Sequence, residues 1–532
     1  MRTAEPLSAS EPDALTSIRP PLADQAFSRA AGAVLIPGNS IRLLKDAREN
    51  YPAWLDAIRE AKRCIHFENY IIHQDQTGRM FADALIAKAQ EGVRVRLIRD
   101  WLGGLGTASR AFWDGLRAGG VDVRCYNPAR WDSPFGWLNR DHRKTLCVDG
   151  GIGFVSGLCV GQMWTGEPEK KIEPWRDTGV EIRGPSVADL DRAFAAVWAM
   201  LGEPIPEEDL VRSDAFTQPG ETSLRVVAGI PSAGGMFRVD QLVATLAKER
   251  LWLTDAYFAG MTSYVQALRS AAKDGVDVRI LVPNATDVPL LKPLSRAGYR
   301  ALLEAGVRVF EWNGTMLHAK TAVADGRWAR VGSSNLNIAS WFGNCEMDVV
   351  VEGESFARSM EAMYLQDLQN STEIVLNARQ RVRAPNQPRH QHRVLRRGGG
   401  SSGRAAAGVV RIANVVGAAF TNRRVIEPVE ARITLWTGAL LLSLSILFAV
   451  FPRLIAYPLV LLFVWIACAL LYKGVKLQRA KAKANGKARA ACHNAMPKES
   501  NSKARAGGSD DATPLNHPNQ NDDDSHHDQN VD

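Results

Sequence analysis

The stretch HRKTLCVD at residues 142–149, which returns as HAKTAVAD at residues 318–325, decides the fold. Both copies fit the pattern His-x-Lys-x-x-x-x-Asp. Successive side chains of a β-strand point to opposite faces, so a histidine and a lysine two residues apart share one face. A single match of three fixed positions arises by chance in many sequences. Two matches at equivalent points of a repeated frame indicate a functional site built from both copies.

The sequence around the two copies repeats in the same order. The matching segments are strand-like Cys64–Ile72 and Leu251–Phe258, helix-like Met80–Gln90 and Ser263–Lys273, and strand-like Val93–Arg99 and Val276–Val282. Strands that alternate with helices predict mixed α/β layers, and a repeat of this length is a duplicated domain. We therefore predict two halves, residues 25–210 and 211–378, related by a pseudo-two-fold axis across which like elements meet.

The repeated residue types suit phosphoryl transfer. One histidine, of His142 and His318, can attack phosphorus while the other protonates the leaving alcohol. Lys144 and Lys320 can hold the negative oxygens of the transition state. Because two ammonium groups supply that positive charge, we expect no metal and no cofactor, and the sequence shows no H-E-x-x-H motif or carboxylate triad.

The sequence resembles the phospholipase D superfamily, and more closely its bacterial cardiolipin synthase branch. The resemblance covers roughly residues 26–378 and part of the basic segment with RRVIEP (423–428). The elements that carry it are the doubled motif, Gly332-Ser333-Ser334-Asn335, Trp175-Arg176-Asp177-Thr178, Gly184-Pro185 and the opening PGNSIRLLKDARENYPAWLDAI (37–58).

The resemblance implies a role for each matching residue. By analogy His142 is the nucleophile that forms a phosphohistidine, and His318 is the general acid and then the general base, although the order of attack stays open. The expected catalytic residues are His142, Lys144, Asp149, His318, Lys320 and Asp325, and the residues expected to support the substrate site are Ser333, Asn335, Asp177 and Glu346. Within these sets the resemblance gives Asp177 and Glu346 the task of orienting the imidazoles, and we interpret Asp149 and Asp325 mainly as holding the loop after each strand.

The first half departs from the family pattern at Cys159, where an asparagine is usual. A thiol cannot replace the two donors and one acceptor of an amide. We therefore expect the two half-sites to differ, and we interpret Cys159 as a small packed thiol. Among the fourteen tryptophans we interpret most, including Trp164 and Trp175, as core residues, whereas Trp131–Trp137 is the candidate for a lip that touches a membrane.

The net charge of +8 is unevenly distributed along the 532 residues. Residues 1–378 contain 42 basic and 47 acidic side chains, whereas residues 379–424 contain 11 arginines and no acid. A nucleic-acid groove needs a positive surface, so the acidic body argues against a nuclease and against a nucleic-acid partner. Seven scattered cysteines without a C-x-x-C pair exclude a disulfide scaffold and a thiolate zinc site.

Two uncharged apolar runs, residues 433–451 and 454–472, are each long enough to cross a hydrocarbon core as a helix. Basic residues flank the pair on both outer sides, and Pro452-Arg453 separates the runs. By the positive-inside rule we predict a transmembrane hairpin at the inner membrane, with the catalytic body facing the cytoplasm. The remaining segments are a flexible leader at 1–24, a basic linker at 379–432, and a basic then acidic disordered tail at 473–532.

These observations predict a cardiolipin synthase that transfers a phosphatidyl group from phosphatidylglycerol, an anionic phospholipid, to a second phospholipid alcohol. The alternative is a phospholipase D that gives the same group to water and yields phosphatidic acid, and a nuclease of the superfamily ranks below both. Synthase and hydrolase differ in whether the acceptor pocket excludes water. The sequence leaves the second lipid and the oligomeric state open.

Overall fold

The computed structural model describes residues 22–132, 138–210, 219–285, 298–376, 382–383 and 428–494. The described residues up to 469 form one compact unit, and those from 470 onward form a second. The predicted leader, the basic linker, the Trp131–Trp137 segment and the tail after residue 494 fall largely outside the described residues, so these predictions remain as they stand. Residues 473–494, which the sequence predicts to be disordered, are instead helical, because the helix that begins at Arg453 continues to Asn494.

Seventeen strands are named within the described ranges. They are β1 Ile36–Lys45, β2 Cys64–Asn69, β3 Arg94–Asp100, β4 Asp122–Tyr126, β5 Arg140–Asp141, β6 Lys144–Val148, β7 Ile152–Ser156, β8 Thr178–Arg183, β9 Thr222–Gly229, β10 Arg250–Thr254, β11 Asp277–Ala285, β12 Arg308–Met316, β13 Thr321–Ala324, β14 Trp328–Gly332, β15 Asn344–Glu352, β16 Ser371–Leu376 and β17 Val382–Arg383.

The helices lie between these strands. They are α1 Leu22–Ala31, α2 Asp46–Glu60, α3 Gln76–Gln90, α4 Arg110–Ala118, α5 Gln162–Thr165, α6 Val187–Met200, α7 Gly235–Leu246, α8 Thr262–Lys273, α9 Glu354–Gln369, α10 Pro428–Val450 and α11 Arg453–Asn494, with 3-10 turns at Pro168–Lys170 and Glu207–Asp209 and a π-helical turn at Ala339–Gly343. Helix α3 begins four residues before the predicted Met80, because the Asp75 side chain caps it by accepting from the Gly78 amide at 3.0 Å.

The two halves have the same strand order. In the first half the neighbours run β1–β8–β7–β6–β2–β3–β4, and in the second they run β9–β15–β14–β13–β10–β11–β12. In each sheet the last three strands are parallel and the others are antiparallel. The prediction of duplicated mixed-sheet α/β halves is therefore confirmed.

Two apolar clusters fill the cores of the halves, a third joins their sheets, and a fourth lies around Trp198 and Cys345. One packs helices α2 to α4 on the first sheet around Trp54 and Phe81, and a second packs α7 and α8 on the second sheet around Tyr264. The third joins the sheets, since it contains Val180 of the first half and Val349 of the second, both fully buried. Each such side chain contributes about 1.5–3 kcal/mol on burial, so the third cluster stabilises the association of the two halves.

Two contacts cross from the N-terminal region to the second half. Strand β1 pairs with β8 of its own half and also with β9. Helix α1 contributes Ala30 to the second-half core, and Asp24 forms an ion pair with buried Arg225. Residues 22–45 therefore tie the two sheets to each other.

The apolar C-terminal runs are helical. Helix α11 contains the segment Arg453–Lys476, 24 residues with mean hydropathy 2.6, which is long and apolar enough to cross a membrane. Helix α10 covers the first predicted run, but its described apolar part, Gly438–Val450, is shorter than the 18 residues that a span requires. The break between the two helices falls at Phe451-Pro452, next to the predicted turn. The second predicted span is thus supported by length and composition, and the first remains a prediction.

Candidate active site

His142 lies between the short strand β5 and strand β6, at the interface of the halves. Its backbone amide donates to the Cys345 carbonyl at 2.9 Å. Its ring Nδ1 lies 2.9 Å from Oε2 of Glu346, the third residue of the second-half strand β15. The parallel pairing of β5 with β15 fixes this approach. The second half therefore supplies the acid that holds the histidine of the first.

His318 repeats this arrangement with the halves exchanged. Its backbone amide donates to the Arg176 carbonyl at 2.7 Å, and its Nδ1 lies 2.7 Å from Oδ2 of Asp177. A parallel bridge between Arg176 and Leu317 takes the place of the β5–β15 pairing. Because each histidine is bound by the other half's acid, neither half contains a complete site.

The acids fix which nitrogen of each ring carries hydrogen. An ionised carboxylate only accepts, so Nδ1 donates to it and Nε2 keeps its lone pair. Lys320 Nζ also lies 3.0 Å from Nδ1 of His318, and one nitrogen cannot both donate to Asp177 and accept from Lys320. We assign the hydrogen to the shorter contact with Asp177, since Lys320 has the His318 carbonyl as its acceptor.

Burial lowers the pKa of His142 and of His318 to about 4, even though the bound carboxylate opposes the shift. Both rings are therefore neutral near pH 7. For Glu346 and Asp177, burial favours protonation, but the partner histidine and its hydrogen bond outweigh burial and hold the pKa of each acid below its ordinary value. The site thus pairs neutral imidazoles with ionised carboxylates.

Each acid has further donors that keep it in place. Glu346 accepts from the Ser333 hydroxyl at 2.5 Å and from the Asn344 amide at 3.0 Å. Asp177 accepts from the Trp164 indole at 3.0 Å and from the Thr178 backbone amide at 2.9 Å. Ser333 therefore acts on His142 through Glu346, as an anchor of the orienting acid.

The two lysines lie side by side with the histidines. Lys144 and Lys320 are each 0% exposed, and each donates to the carbonyl of its own half's histidine. The Nζ atom of Lys144 lies 5.0 Å from the ring centroid of Tyr70, and the Nζ atom of Lys320 lies 6.0 Å from the ring centroid of Tyr257. Burial lowers the pKa of Lys320 to about 8, and the positive charge of Lys144 adds to the shift.

The lysine of each half also acts electrostatically on the histidine of the other half. The charge of Lys320 contributes to lowering the pKa of His142, after burial and Lys144, and the charge of Lys144 does the same for His318 after burial and Lys320. A single phosphoryl group between the rings would therefore experience both ammonium groups.

Asp149 and Asp325 lie at the far end of their strands and contact neither histidine. Asp149 accepts from the backbone amides of residues 62, 63 and 64 at 2.7–2.9 Å. Asp325 accepts from the amides of residues 248, 249 and 250, each at 2.9 Å. Each carboxylate thus holds the turn that enters the neighbouring strand, and its placement gives it no contact with reacting atoms.

The comparison with known families agrees with the two halves. A family model described as cardiolipin synthase, PLD-like domain, matches residues 54–163 and 243–368, one match in each half. The cardiolipin synthase of Alkalihalophilus pseudofirmus is 32% identical over 339 residues, which cover 63% of this chain and 67% of that protein. Cardiolipin synthase A of Pseudomonas fluorescens is 32% identical over 379 residues, which cover 70% of this chain and 76% of that protein. The chain belongs to the cardiolipin synthase family.

The cardiolipin synthase of Clostridium perfringens is 32% identical over 64% of this chain and 72% of that protein. The match to this chain thus spans about two thirds to three quarters of the length of these three relatives. Among solved structures, phosphatidylserine synthase of Haemophilus influenzae superposes with a TM-score of 0.53 at 15% identity, covering 66% of this chain and 91% of that one. This likeness shows the fold alone.

The half-sites of this cardiolipin synthase family member differ where the sequence predicts it. The register of β6 with β7 and of β13 with β14 places Gly157 where Ser333 stands, and Cys159 where Asn335 stands. A Cβ on Gly157 would lie 2.2 Å from Oδ1 of Asp177, so only glycine fits beside that acid. Burial raises the pKa of the Cys159 thiol, which is 1% exposed and uncharged at neutral pH.

Two site residues of this family member were missed by the sequence reasoning. Trp164, interpreted as a core residue, is buried as expected but also donates to Asp177 and packs edge-on against His318 with centroids 5.6 Å apart. Asn344 borders the Glu346 element but was given no role. Asp177 and Glu346 could be identified from their positions after the two motifs. The residues that donate hydrogen bonds to them follow no recognisable sequence pattern.

A cavity of about 840 Å³ is lined in part by Trp164. Its wall is largely apolar, with both basic and acidic side chains among its lining residues, which are Lys45, Asp46, Ala47, Arg48, Tyr51, Pro52, Leu55, Asp56, Arg59, Met80, Trp164, Thr165, Glu173, Pro174, Arg176 and Trp312. Within the described ranges no three His, Cys, Asp or Glu side chains are grouped in a way that could hold a metal ion.

Proposed function

We propose that the chain is a cardiolipin synthase, which transfers the phosphatidyl group of phosphatidylglycerol to the alcohol of a second phospholipid and releases glycerol. The single observation that carries this is the crossed pairing of His142 with Glu346 and of His318 with Asp177, with a buried lysine beside each ring. That arrangement supplies a nucleophile, an acid-base group and phosphate-binding charge in one place. The three relatives described above are named cardiolipin synthases, which supports the same reaction.

The first half-reaction forms a phosphohistidine. Nε2 of neutral His142 attacks phosphorus, a nitrogen–phosphorus bond forms, and the bond from phosphorus to the glycerol oxygen breaks. His318, which takes up a proton on Nε2 when the anionic substrate binds beside it, gives that proton to the oxygen, so glycerol leaves as a neutral alcohol. Glu346 stabilises the positive charge on the modified His142 ring, and both lysines bind the phosphoryl oxygens.

The second half-reaction returns the enzyme to its starting state. His318 now accepts the proton of the incoming alcohol, whose oxygen attacks phosphorus and displaces His142. Without substrate, His318 has a pKa of about 4 and is neutral near pH 7. The proton that it donates in the first half-reaction must therefore be stabilised on the ring by the bound substrate anion. A phosphodiester beside the ring favours the charged imidazole, so substrate binding raises the pKa of His318 toward the range in which it is an effective acid.

The C-terminal helices give this reaction its place at a membrane. We propose that α10 and α11 form a hairpin in the inner membrane, with both outer ends and the catalytic body on the cytoplasmic side. The apolar segment Arg453–Lys476 supports one span, and the basic residues on either side of the pair support the orientation. The largely apolar cavity lined in part by Trp164 suits an acyl chain of a lipid drawn from that surface.

Product analysis tests the proposed reaction. Membranes containing the protein are supplied with phosphatidylglycerol that is labelled in its acyl chains and in its head-group glycerol. They should yield labelled cardiolipin and release one glycerol molecule for each cardiolipin formed. A parallel reaction with added phosphatidylethanolamine shows whether a second lipid is a donor or acceptor. Phosphatidic acid as the only lipid product would overturn the proposal in favour of a phospholipase D.

A further inference from the structure

Asn69 is a fully buried amide without a hydrogen-bond partner. It is 0% exposed, and both its Nδ2 and its Oδ1 lack a partner within the described part of the chain. A buried amide that is left unpaired costs about 1–3 kcal/mol relative to a paired one. Such a group is retained at a cost to the fold, which points to a role outside the fold.

The strand register places Asn69 beside the catalytic lysine of the first half. Asn69 is the last residue of β2 and lies directly opposite Lys144 in the antiparallel pairing with β6. Directly opposed residues extend their side chains from the same face, with Cβ atoms about 4.5–5.5 Å apart. The next pair confirms the alternation, since Thr145 and Glu68 are hydrogen-bonded to each other at 3.3 Å. Asn69 therefore shares the face of Lys144.

The second half has no amide at the equivalent position. The pairing of Thr254 with Thr321 brings Asp255 to the place of Asn69. Asp255 accepts from the backbone amides of Leu336 at 2.9 Å and Tyr257 at 3.2 Å, so its carboxylate serves the local fold. The amide of that half is Asn335, whose counterpart in the first half is Cys159. The side-chain amides of the two halves thus stand at different positions, Asn69 at the end of β2 and Asn335 after the end of β14.

We propose that Asn69 is a phosphoryl-binding residue of the first half-site, donating from Nδ2 to a non-bridging oxygen of the phosphodiester that Lys144 binds. This deepens the proposed function and rests on it for the identity of the substrate. Asn69 supplies the neutral donor that Cys159 cannot. Its Oδ1 accepts from a hydroxyl group of the glycerol head group, which gives the site a preference for a head group with a free alcohol.

The substitution Asn69→Leu separates this role from a structural one. Leucine has a similar volume and no polar atoms, so it removes an unpaired amide from the interior and should leave the melting temperature unchanged or raise it. The same change should lower kcat/KM for phosphatidylglycerol about 10- to 100-fold, the usual effect of losing one donor to a charged oxygen. Asn69→Asp should lose at least as much, because a carboxylate repels the phosphodiester.

Asn39 provides the matched control. It is also 0% exposed, but its Nδ2 donates to the Ile36 carbonyl at 2.8 Å and its Oδ1 accepts from the Ser186 amide at 3.0 Å. Asn39→Leu should therefore lower the melting temperature, in contrast to Asn69→Leu. A clear fall in melting temperature for Asn69→Leu, with kcat/KM per folded molecule unchanged, would overturn the inference.

A second measurement keeps the inference separate from the identity of the product. Stabilisation of the full-length protein by inorganic phosphate, followed as the shift in melting temperature, reports phosphoryl binding without turnover. The concentration of phosphate that gives half the shift should rise about 10-fold in Asn69→Leu and stay unchanged in Asn39→Leu. An unchanged value in Asn69→Leu would sink the role of Asn69, whereas a wild-type protein that makes only phosphatidic acid would sink the synthase proposal alone.

Discussion

Asp177 and Glu346 define the site at the scale of single residues, because each takes a histidine from the other half and sets its tautomer. Their supporting donors differ: an indole and a backbone amide hold Asp177, whereas a hydroxyl and a side-chain amide hold Glu346. The two histidines therefore have similar pKa values, each lowered to about 4, but unlike surroundings.

Trp164→Phe should lower kcat while leaving KM for phosphatidylglycerol nearly unchanged. The variant keeps the aromatic ring beside His318 but removes the donor to Asp177, and one hydrogen bond to a charged group contributes about 1.5–3 kcal/mol, or roughly 10- to 100-fold. Steady-state kinetics on mixed micelles measures the effect. Trp54→Phe is the control, since the Trp54 indole nitrogen is buried without a partner in the described part of the chain. Equal losses in both variants would show that Trp164 serves packing alone.

Lys320 should impose an alkaline limit on the reaction. Its pKa of about 8 means that it is charged below that pH and loses its charge, and with it the attraction for phosphoryl oxygens, as the pH rises. Arginine stays charged throughout. The ratio of kcat/KM of the wild type to that of Lys320→Arg should therefore be flat below about pH 8 and fall about tenfold per pH unit above it. A ratio that stays constant from pH 6 to 10 would contradict this role.

At this scale the sequence predicts the site because its residues follow a spacing. Each His-x-Lys pair lies at the entry of a strand, His142 just before β6 and His318 just before β13, rather than within it as the alternation predicted. The two acids stand at similar distances after the histidines. Trp164 and Asn69 could not be found in this way, since their importance comes from contacts made only after β2, α5 and β8 have come together.

At the scale of elements, Asp149 and Asp325 join neighbouring strands. Both have positive φ angles, 53° and 51°, and each carboxylate accepts from three consecutive backbone amides at the entry of β2 or β10. The amide donors hold the pKa of Asp325 below its ordinary value, against the effect of burial. Each aspartate thus fixes the strand that lies beside its own His-x-Lys strand.

Asp149→Asn should destabilise the protein without removing its chemistry. The amide side chain loses one acceptor and its charge, so the free energy of unfolding should fall by about 1–3 kcal/mol. Thermal or denaturant unfolding measures the loss, and the exposed Asp83→Asn serves as the control. Turnover per folded molecule should stay within about twofold of the wild type. A loss of turnover as large as that of a histidine variant would instead place Asp149 in the reaction.

Element boundaries show where local pattern ends. Strand β3 and helix α8 lie within one residue of their predicted positions, because hydrophobic periodicity and glycine turns mark them. Helix α3 begins four residues before the start predicted from its apolar periodicity. The reason is the N-cap at Asp75, a local signal that the spacing of apolar residues does not contain. The pairing of β1 with both sheets involves partners more than a hundred residues away and has no local signature.

At the scale of the whole molecule, duplication explains both the architecture and the site. Two halves with the same strand order meet through their β-sheets, and the crossing of acids and histidines follows from that symmetry. The charge distribution agrees with this division: the body is slightly acidic and the excess of basic residues lies after residue 378.

The proposed hairpin predicts which positions face each side of the membrane. Arg453, at the start of α11, should lie on the outer side, and Cys492 near its end should lie in the cytoplasm. In spheroplasts with an intact inner membrane, a membrane-impermeant maleimide should label the cysteine of an Arg453→Cys variant. Cys492 should react only after the spheroplasts are lysed. Equal labelling of both positions before lysis, or of Cys492 alone, would rule out this topology.

The most direct test of the central claim, that both halves build one phosphatidyl-transfer site, is the turnover of labelled phosphatidylglycerol by purified His142→Ala and His318→Ala proteins. Each substitution should lower the rate by at least about 100-fold, because each removes one of two groups that act on the same phosphorus atom. Folding of both variants is checked by their melting temperatures. Substantial cardiolipin formation by either folded variant would contradict a shared site.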